Sequence, residues 1–163
     1  MWGNRELMSG KATKTKLICQ NRKARFNFEV EDAFEAGIAL VGSEVKALRE
    51  GKANLSDAYA KFQDEELFLV DAHISPYRYA NRENHDPLRE RKLLLHRREL
   101  KKLRGKVVER GYSLIPLKMY FKNGKVKIEL ALARGKKVYD KREAIKKKDL
   151  RREMERLHKY RDR

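Results

Sequence analysis

The strongest constraint on the fold is a pair of alternating segments on either side of Asn123-Gly124. Ile115, Leu117, Met119 and Phe121 recur at every second position of residues 112–121, and Val126, Ile128, Leu130 and Leu132 do so in 125–133. A period of two marks half-buried strands, and Asn-Gly supplies the two positive-φ residues of a type I′ turn. The spacing therefore predicts one long β-hairpin. A lone hairpin is marginal in water, so partner strands are required. Phe26, Phe28 and Val30 alternate, and Phe34, Ala36, Ile38 and Leu40 resume the same parity, as a second strand or a bent continuation. Gly37 in the middle predicts a bulge or a tight barrel bend. Two more strands are expected over 58–63 and 66–70, split by the polar Asp64-Glu65.

Two helices accompany the strands. Over 42–51, Ser43 can cap, Glu44 suits the positive end of the dipole, Val45 and Leu48 share a face, and Gly51 can end the helix. Over 93–110, Leu93, Leu100, Leu103 and Val107 share one face, while Arg97, Lys101 and Arg104 stripe another. Residues 73–91, with Pro76 and Pro87, read as an irregular connection. So many antiparallel strands with two helices predict a mainly β fold, a small closed or nearly closed barrel spanning residues 25–135, rather than a layered α/β fold. Residues 1–24 lack apolar periodicity and read as a basic N-terminal arm, in which Met8-Ser9-Gly10 is an alternative start. Residues 136–163 hold a sparse stripe of Leu150, Met154 and Leu157. That stripe buries too little to offset ordering entropy, so this C-terminal tail is expected to be disordered when free and a basic helix when bound.

Charge narrows the function. The chain of 163 residues carries a formal +17, which calls for a polyanionic partner, either nucleic acid or a membrane surface. The charge is blocked: +6 over residues 1–25, −7 over 26–71, +10 over 72–133 and +8 over 134–163. The acidic block predicts a face that avoids phosphates, beside basic surfaces that seek them. No apolar run is long enough to span a bilayer, and no secretory leader pattern is present. The single Cys19 permits no internal disulfide and no Cys-rich zinc module, which points to a reducing cytosol.

Catalytic patterns are missing. His73, His85, His96 and His158 have no metal-ligand spacing, and Gly42-Ser43-Glu44-Val45 lacks the second glycine of a nucleophile elbow. Binding features accumulate instead: a basic arm, a basic helix beside Leu94 and His96, a basic tail, and Tyr59, Tyr77, Tyr79, Tyr112, Tyr120 and Tyr139 as stacking candidates. Residues alone leave three classes open: an RNA-binding adaptor, a structural ribosomal or ribosome-assembly protein, and, more weakly, a nucleic-acid-modifying enzyme.

Longer motifs decide among them. Phe34-Glu35-Ala36-Gly37-Ile38, the run Gly42-Ser43-Glu44-Val45-Lys46-Ala47-Leu48-Arg49, Ala72-His73-Ile74-Ser75-Pro76-Tyr77, Asn84-His85-Asp86-Pro87, Arg91-Lys92-Leu93-Leu94-Leu95-His96-Arg97, Gly135-Lys136-Lys137 and Asp140-Lys141-Arg142 together closely resemble the SsrA-binding protein family, SmpB. The resemblance is collinear from about Asn21 to Asp149. It implies an OB-fold-like barrel, a non-enzymatic RNA-binding role without cofactor or metal, and a monomer in the cytoplasm. The implied partners are transfer-messenger RNA (tmRNA) and the ribosome, at the small-subunit decoding region and mRNA channel, where the protein delivers tmRNA to stalled ribosomes for trans-translation. By motif, the resemblance carries RNA binding to Glu35, Leu94 and His96; the basic Lys46, Arg49, Lys92 and Arg97 are counted with them. It carries ribosome binding to Lys136, Lys137, Tyr139, Asp140, Lys141, Arg142, Ile145 and Lys146. Three departures stand out: Tyr139 where many relatives have His, Phe121 for a frequent Trp, and Lys148 for a frequent Arg. Tyr139 keeps a ring for stacking but has no imidazole for proton transfer.

Overall fold

The computed structural model describes residues 14–80 and 83–161, so the alternative start at Met8 and most of the basic arm lie outside the described residues. In chain order the elements are β1 (Thr15–Gln20), α1 (Ala24–Asn27), β2 (Phe28–Ile38), α2 (Gly42–Arg49), β3 (Ala53–Asn54), β4 (Tyr59–Gln63), β5 (Glu66–Val70), β6 (His73–Ile74), β7 (Arg91–Leu94), α3 (Arg97–Arg110), β8 (Ser113–Lys122), β9 (Lys125–Gly135) and α4 (Val138–Arg161). The predicted hairpin is β8–β9, and Asn123 and Gly124 take φ of 51° and 76°, as the turn requires.

Around that hairpin the strands form a near-closed antiparallel ring. β9 pairs with β2, β2 with β7, β7 with β5, and β5 with β4. β4 then meets β8 at one register pair, Ala60↔Leu114. β3 and β6 make a separate two-stranded sheet. The ring encloses Leu67, Leu69, Leu93, Met119, Ile128 and Leu130, with Leu48 of α2 and Leu103 of α3 completing the core. Among the described residues, no helix is long and apolar enough to cross a membrane.

Several expectations are corrected. β1 lies in the stretch read as an arm without order and pairs with the far half of β8, Thr15↔Lys122 through Gln20↔Lys118. Its apolar residues, Leu17, Ile18 and Cys19, run together and so show no period of two. Cys19 is partly buried there, and burial pushes its thiol up to about 11, so it stays a protonated thiol at neutral pH. Phe26 belongs to the short α1, and β2 is one bent strand whose register shifts between Val30 and Asp32, not at Gly37. Residues 91–94 form β7 rather than the start of a helix: Arg91 and Leu93 point inward while Lys92 and Leu94 point out, a strand's alternation. The hairpin face also switches. The register of β8 shifts between Pro116 and Lys118, so Ile115 and Leu117 pack with Ala24, Ala131 and Ala133, while Met119 faces the ring interior. Finally, the C-terminal tail is not disordered but forms α4, a 24-residue helix.

Candidate nucleic-acid interface

The outward face of the sheet gathers residues from five strands into one row. Leu94 of β7 lies opposite Gly37 of β2, Gly37 opposite Lys127 of β9, Lys127 opposite Tyr120 of β8, and Tyr120 opposite Leu17 of β1. The row exists because directly opposed residues in an antiparallel ladder point to the same face. Its ends, Leu94 and Leu17, are 51% and 56% exposed, although water would normally drive such side chains inside. Gly37 has a packing role in place of the expected bulge: a Cβ there would sit 3.3 Å from the Cβ of Leu94.

Glu35 shares this face, two residues before Gly37 and opposite Glu129. Lys122 Nζ donates to both its carboxylate oxygens at 3.0 Å, and the Tyr120 hydroxyl donates to Oε2. The Tyr120 hydrogen bond first, and Lys122 second, hold the Glu35 carboxyl below the usual range. Conversely, burial and the same hydrogen bond push the Tyr120 phenol above its ordinary value. Lys118 lies 5.6 Å over the Tyr120 ring and pairs with Glu129 at 2.7 Å. Sequence reasoning missed Lys118 and Lys122 and held Tyr120 only as one stacking candidate of six. The signal was the run Lys118, Tyr120, Lys122 at every second position of a strand.

Two residues beyond Leu94, His96 is exposed and occupies the N-cap position of α3, its backbone N–H donating to Glu99 Oε2 at 3.2 Å. Arg97, Lys101 and Arg104 are exposed along α3, whereas Lys102 and Lys106 pair with Asp32 and Glu31 of β2. Lys92 points outward but pairs with Glu66.

Lys46 and Arg49 lie elsewhere, on α2. Lys46 Nζ sits 5.4 Å over the Tyr77 ring, and Tyr77 meets Tyr79 edge to face at 5.7 Å. This patch is held by a buried network that the sequence did not reveal. Glu44, fully buried, accepts from the Val41 N–H at 3.0 Å, from Arg91 Nε at 2.7 Å and from Arg89 Nη2 at 2.7 Å. Thus Glu44, not Ser43, satisfies the start of α2. The His85 imidazole Nε2 faces the Ile74 carbonyl at 3.0 Å and donates to it, which leaves Nδ1, in the neutral ring, to accept from the Ser43 hydroxyl at 2.9 Å. Tyr112 is buried and its hydroxyl accepts from Arg134, so it is a core residue and not a stacking surface.

The tail residues are on or just before α4. Lys136 anchors its root: its N–H donates to the Asn27 carbonyl at 2.9 Å and its Nζ to the Arg25 carbonyl at 3.0 Å. Asp140 accepts from the Lys137 N–H at 3.3 Å, which satisfies one of the orphan donors at the helix start. Tyr139, Arg142, Ile145, Lys146 and the stripe Leu150, Met154 and Leu157 are exposed, and Lys141 is half-buried.

Known proteins resemble this chain over most of its length. The family model described as SmpB protein matches residues 18–160. The SsrA-binding protein of Syntrophobacter fumaroxidans is 60% identical over 150 residues, covering 92% of this chain and 93% of that protein. That of Geobacter sulfurreducens is 60% identical over 139 residues, covering 85% and 91%. A chain of the solved structure described as "tmRNA-SmpB: a journey to the center of the bacterial ribosome" is 48% identical with a TM-score of 0.64, covering 78% of this chain and 93% of that chain. A match of this extent, over the ring of strands and the basic C-terminal helix alike, makes the chain a member of the SmpB family of SsrA-binding proteins.

Proposed function

We propose that the chain is a non-enzymatic adaptor that binds SsrA RNA, the tmRNA, and delivers it to stalled ribosomes for trans-translation in the bacterial cytoplasm. The near-closed ring is read as an OB-fold-like barrel. Its outward row, with Glu35, Leu94 and His96 beside the basic start of α3, is the RNA-binding face. Lys46 and Arg49, with the Tyr77–Tyr79 pair, form a second contact patch. α4, with Lys136, Lys137, Tyr139, Asp140, Lys141, Arg142, Ile145 and Lys146, is the ribosome-binding segment for the decoding region and the mRNA channel. The observation that carries the reading is the outward Leu94–Lys127–Tyr120–Leu17 row, exposed at its two ends and half-buried between them, an apolar and aromatic surface fringed by lysines. Such a surface suits unstacked bases and a phosphate backbone together.

Filter binding tests it. Changing Leu94 and His96 together to alanine should weaken tmRNA binding by about tenfold or more, equivalent to about 1.4 kcal/mol, with melting unchanged because both side chains are exposed. Unchanged affinity in the folded double variant would remove this face from the RNA site.

A further inference from the structure

Glu35 enters the RNA face as a carboxylate, yet its geometry is that of a group already engaged. Lys122 Nζ reaches both oxygens at 3.0 Å, and the Tyr120 hydroxyl donates to one of them. Facing a phosphate backbone, a free carboxylate would be repelled; paired with Lys122 it is neutralised. What the trio offers outward is different from a carboxylate. The phenol proton is committed to Glu35, so the phenol oxygen is left with lone pairs only. The ammonium has three N–H groups and contacts two oxygens, so at least one N–H remains to donate. An acceptor held beside a cationic donor matches RNA: a ribose 2′-hydroxyl donates to the first, and a neighbouring phosphate oxygen accepts from the second. The carriers are well placed for this. Tyr120 and Lys122 sit two residues apart on β8, and with Thr15, Leu17, Lys118 and Glu35 they wall one surface cleft.

We propose that Tyr120 and Lys122 touch the RNA, taking a ribose 2′-hydroxyl and an adjacent phosphate, and that Glu35 is a positioning residue that holds both; this rests on the reading that the outward face binds tmRNA. Glu35 stays ionised in this role because its two donors favour the charged form. β1, through Leu17 and Thr15, supplies one wall of the cleft.

The test is a set of tmRNA affinities, by filter binding at several salt concentrations, for the full chain and five variants whose folding is checked by circular dichroism: Glu35→Gln, Tyr120→Phe, Lys122→Ala, and Tyr120→Phe/Lys122→Ala with and without Glu35→Gln. Glu35→Gln should weaken binding several-fold in the wild-type background and have no further effect in the double variant, where nothing is left to position. Lys122→Ala should also reduce the slope of log affinity against log salt by about 0.7 to 0.9, the loss of one phosphate contact. An equal fold-loss from Glu35→Gln in both backgrounds would show that Glu35 meets the RNA itself and would overturn the proposal. If the Leu94 and His96 changes weaken binding but the Tyr120 and Lys122 variants do not, the proposal falls and the RNA face stands. If no variant on the face alters affinity, both fall together.

Discussion

At the scale of single residues, Glu44 shows how a surface patch is held by groups buried beneath it. Its carboxylate and the Arg91 guanidinium are both fully buried and 2.7 Å apart. Burial alone would raise the Glu44 carboxyl; the Arg89 hydrogen bond, the Val41 N–H and the Arg91 charge together outweigh it and hold the group below its ordinary 4.5. Glu44→Ala leaves Arg91 buried without its partner, which should lower the unfolding free energy by about 3–5 kcal/mol in urea titrations. The pH dependence follows from the depressed folded value. Glu44's contribution is fully present above 4.5 and is lost as pH falls through the lower folded value, so the acid-side fall in melting temperature should flatten in Glu44→Gln. The sequence places Glu44 at a helix start, where a carboxylate suits the dipole. Its arginines stand 45 and 47 residues away, and no local pattern signals such a pairing.

At the scale of elements, α4 is the sharpest case. Its root is tied to α1 by Lys136, but nearly all of its side chains are exposed. Removing everything after Lys137 therefore takes away little buried surface, and stability should change by less than about 0.5 kcal/mol by thermal melting. The truncated protein should keep most of its tmRNA affinity while tagging on stalled ribosomes collapses; full tagging would exclude α4 as the ribosome-binding segment. Leu150→Pro makes the same point without altering charge, since a mid-helix proline breaks the hydrogen-bond ladder at a cost of about 3 kcal/mol or more. Helical signal in circular dichroism should fall, and tagging with it. The stripe Leu150, Met154 and Leu157 was legible as helical spacing. β7 was not legible as a strand, because four residues running into a helix share the apolar spacing of that helix.

For the whole molecule, the charge pattern works differently from a simple division into repelling and attracting faces. Glu31, Asp32, Glu35, Glu44 and Glu66 of the acidic block each pair with a Lys or Arg from residues 89–122. Five of the eleven acids in the block are thus counter-charges to later strands and a helix, and most of these pairs are exposed and individually weak. What remains for RNA, among the described residues, is the cationic excess outside these pairs, including Arg97, Lys101 and Arg104 on α3. If about six phosphates are neutralised, log affinity for tmRNA should fall linearly with log salt at a slope of about −4 to −5. A slope near zero would shift the binding onto Leu94, Tyr120 and the other uncharged contacts.

The amino-acid sequence by itself determined whatever depends on neighbours a few residues apart. The hairpin at Asn123-Gly124, the strands β4 and β5, the end of α2 at Gly51 and the basic face of α3 all follow from period, turn chemistry and capping, which act locally. The family was legible because long motifs survive intact. Only the tertiary structure decided the rest. β1 has almost no periodicity and is a strand because β8 offers it an open edge. The switch of face in β8 depends on one register shift near Pro116, which moves every later side chain to the other side of the sheet. The row from Leu94 to Leu17, and the grip of Lys122 and Tyr120 on Glu35, join residues far apart in sequence through strand register. Register is set by how the whole ring packs, and no window of sequence contains it.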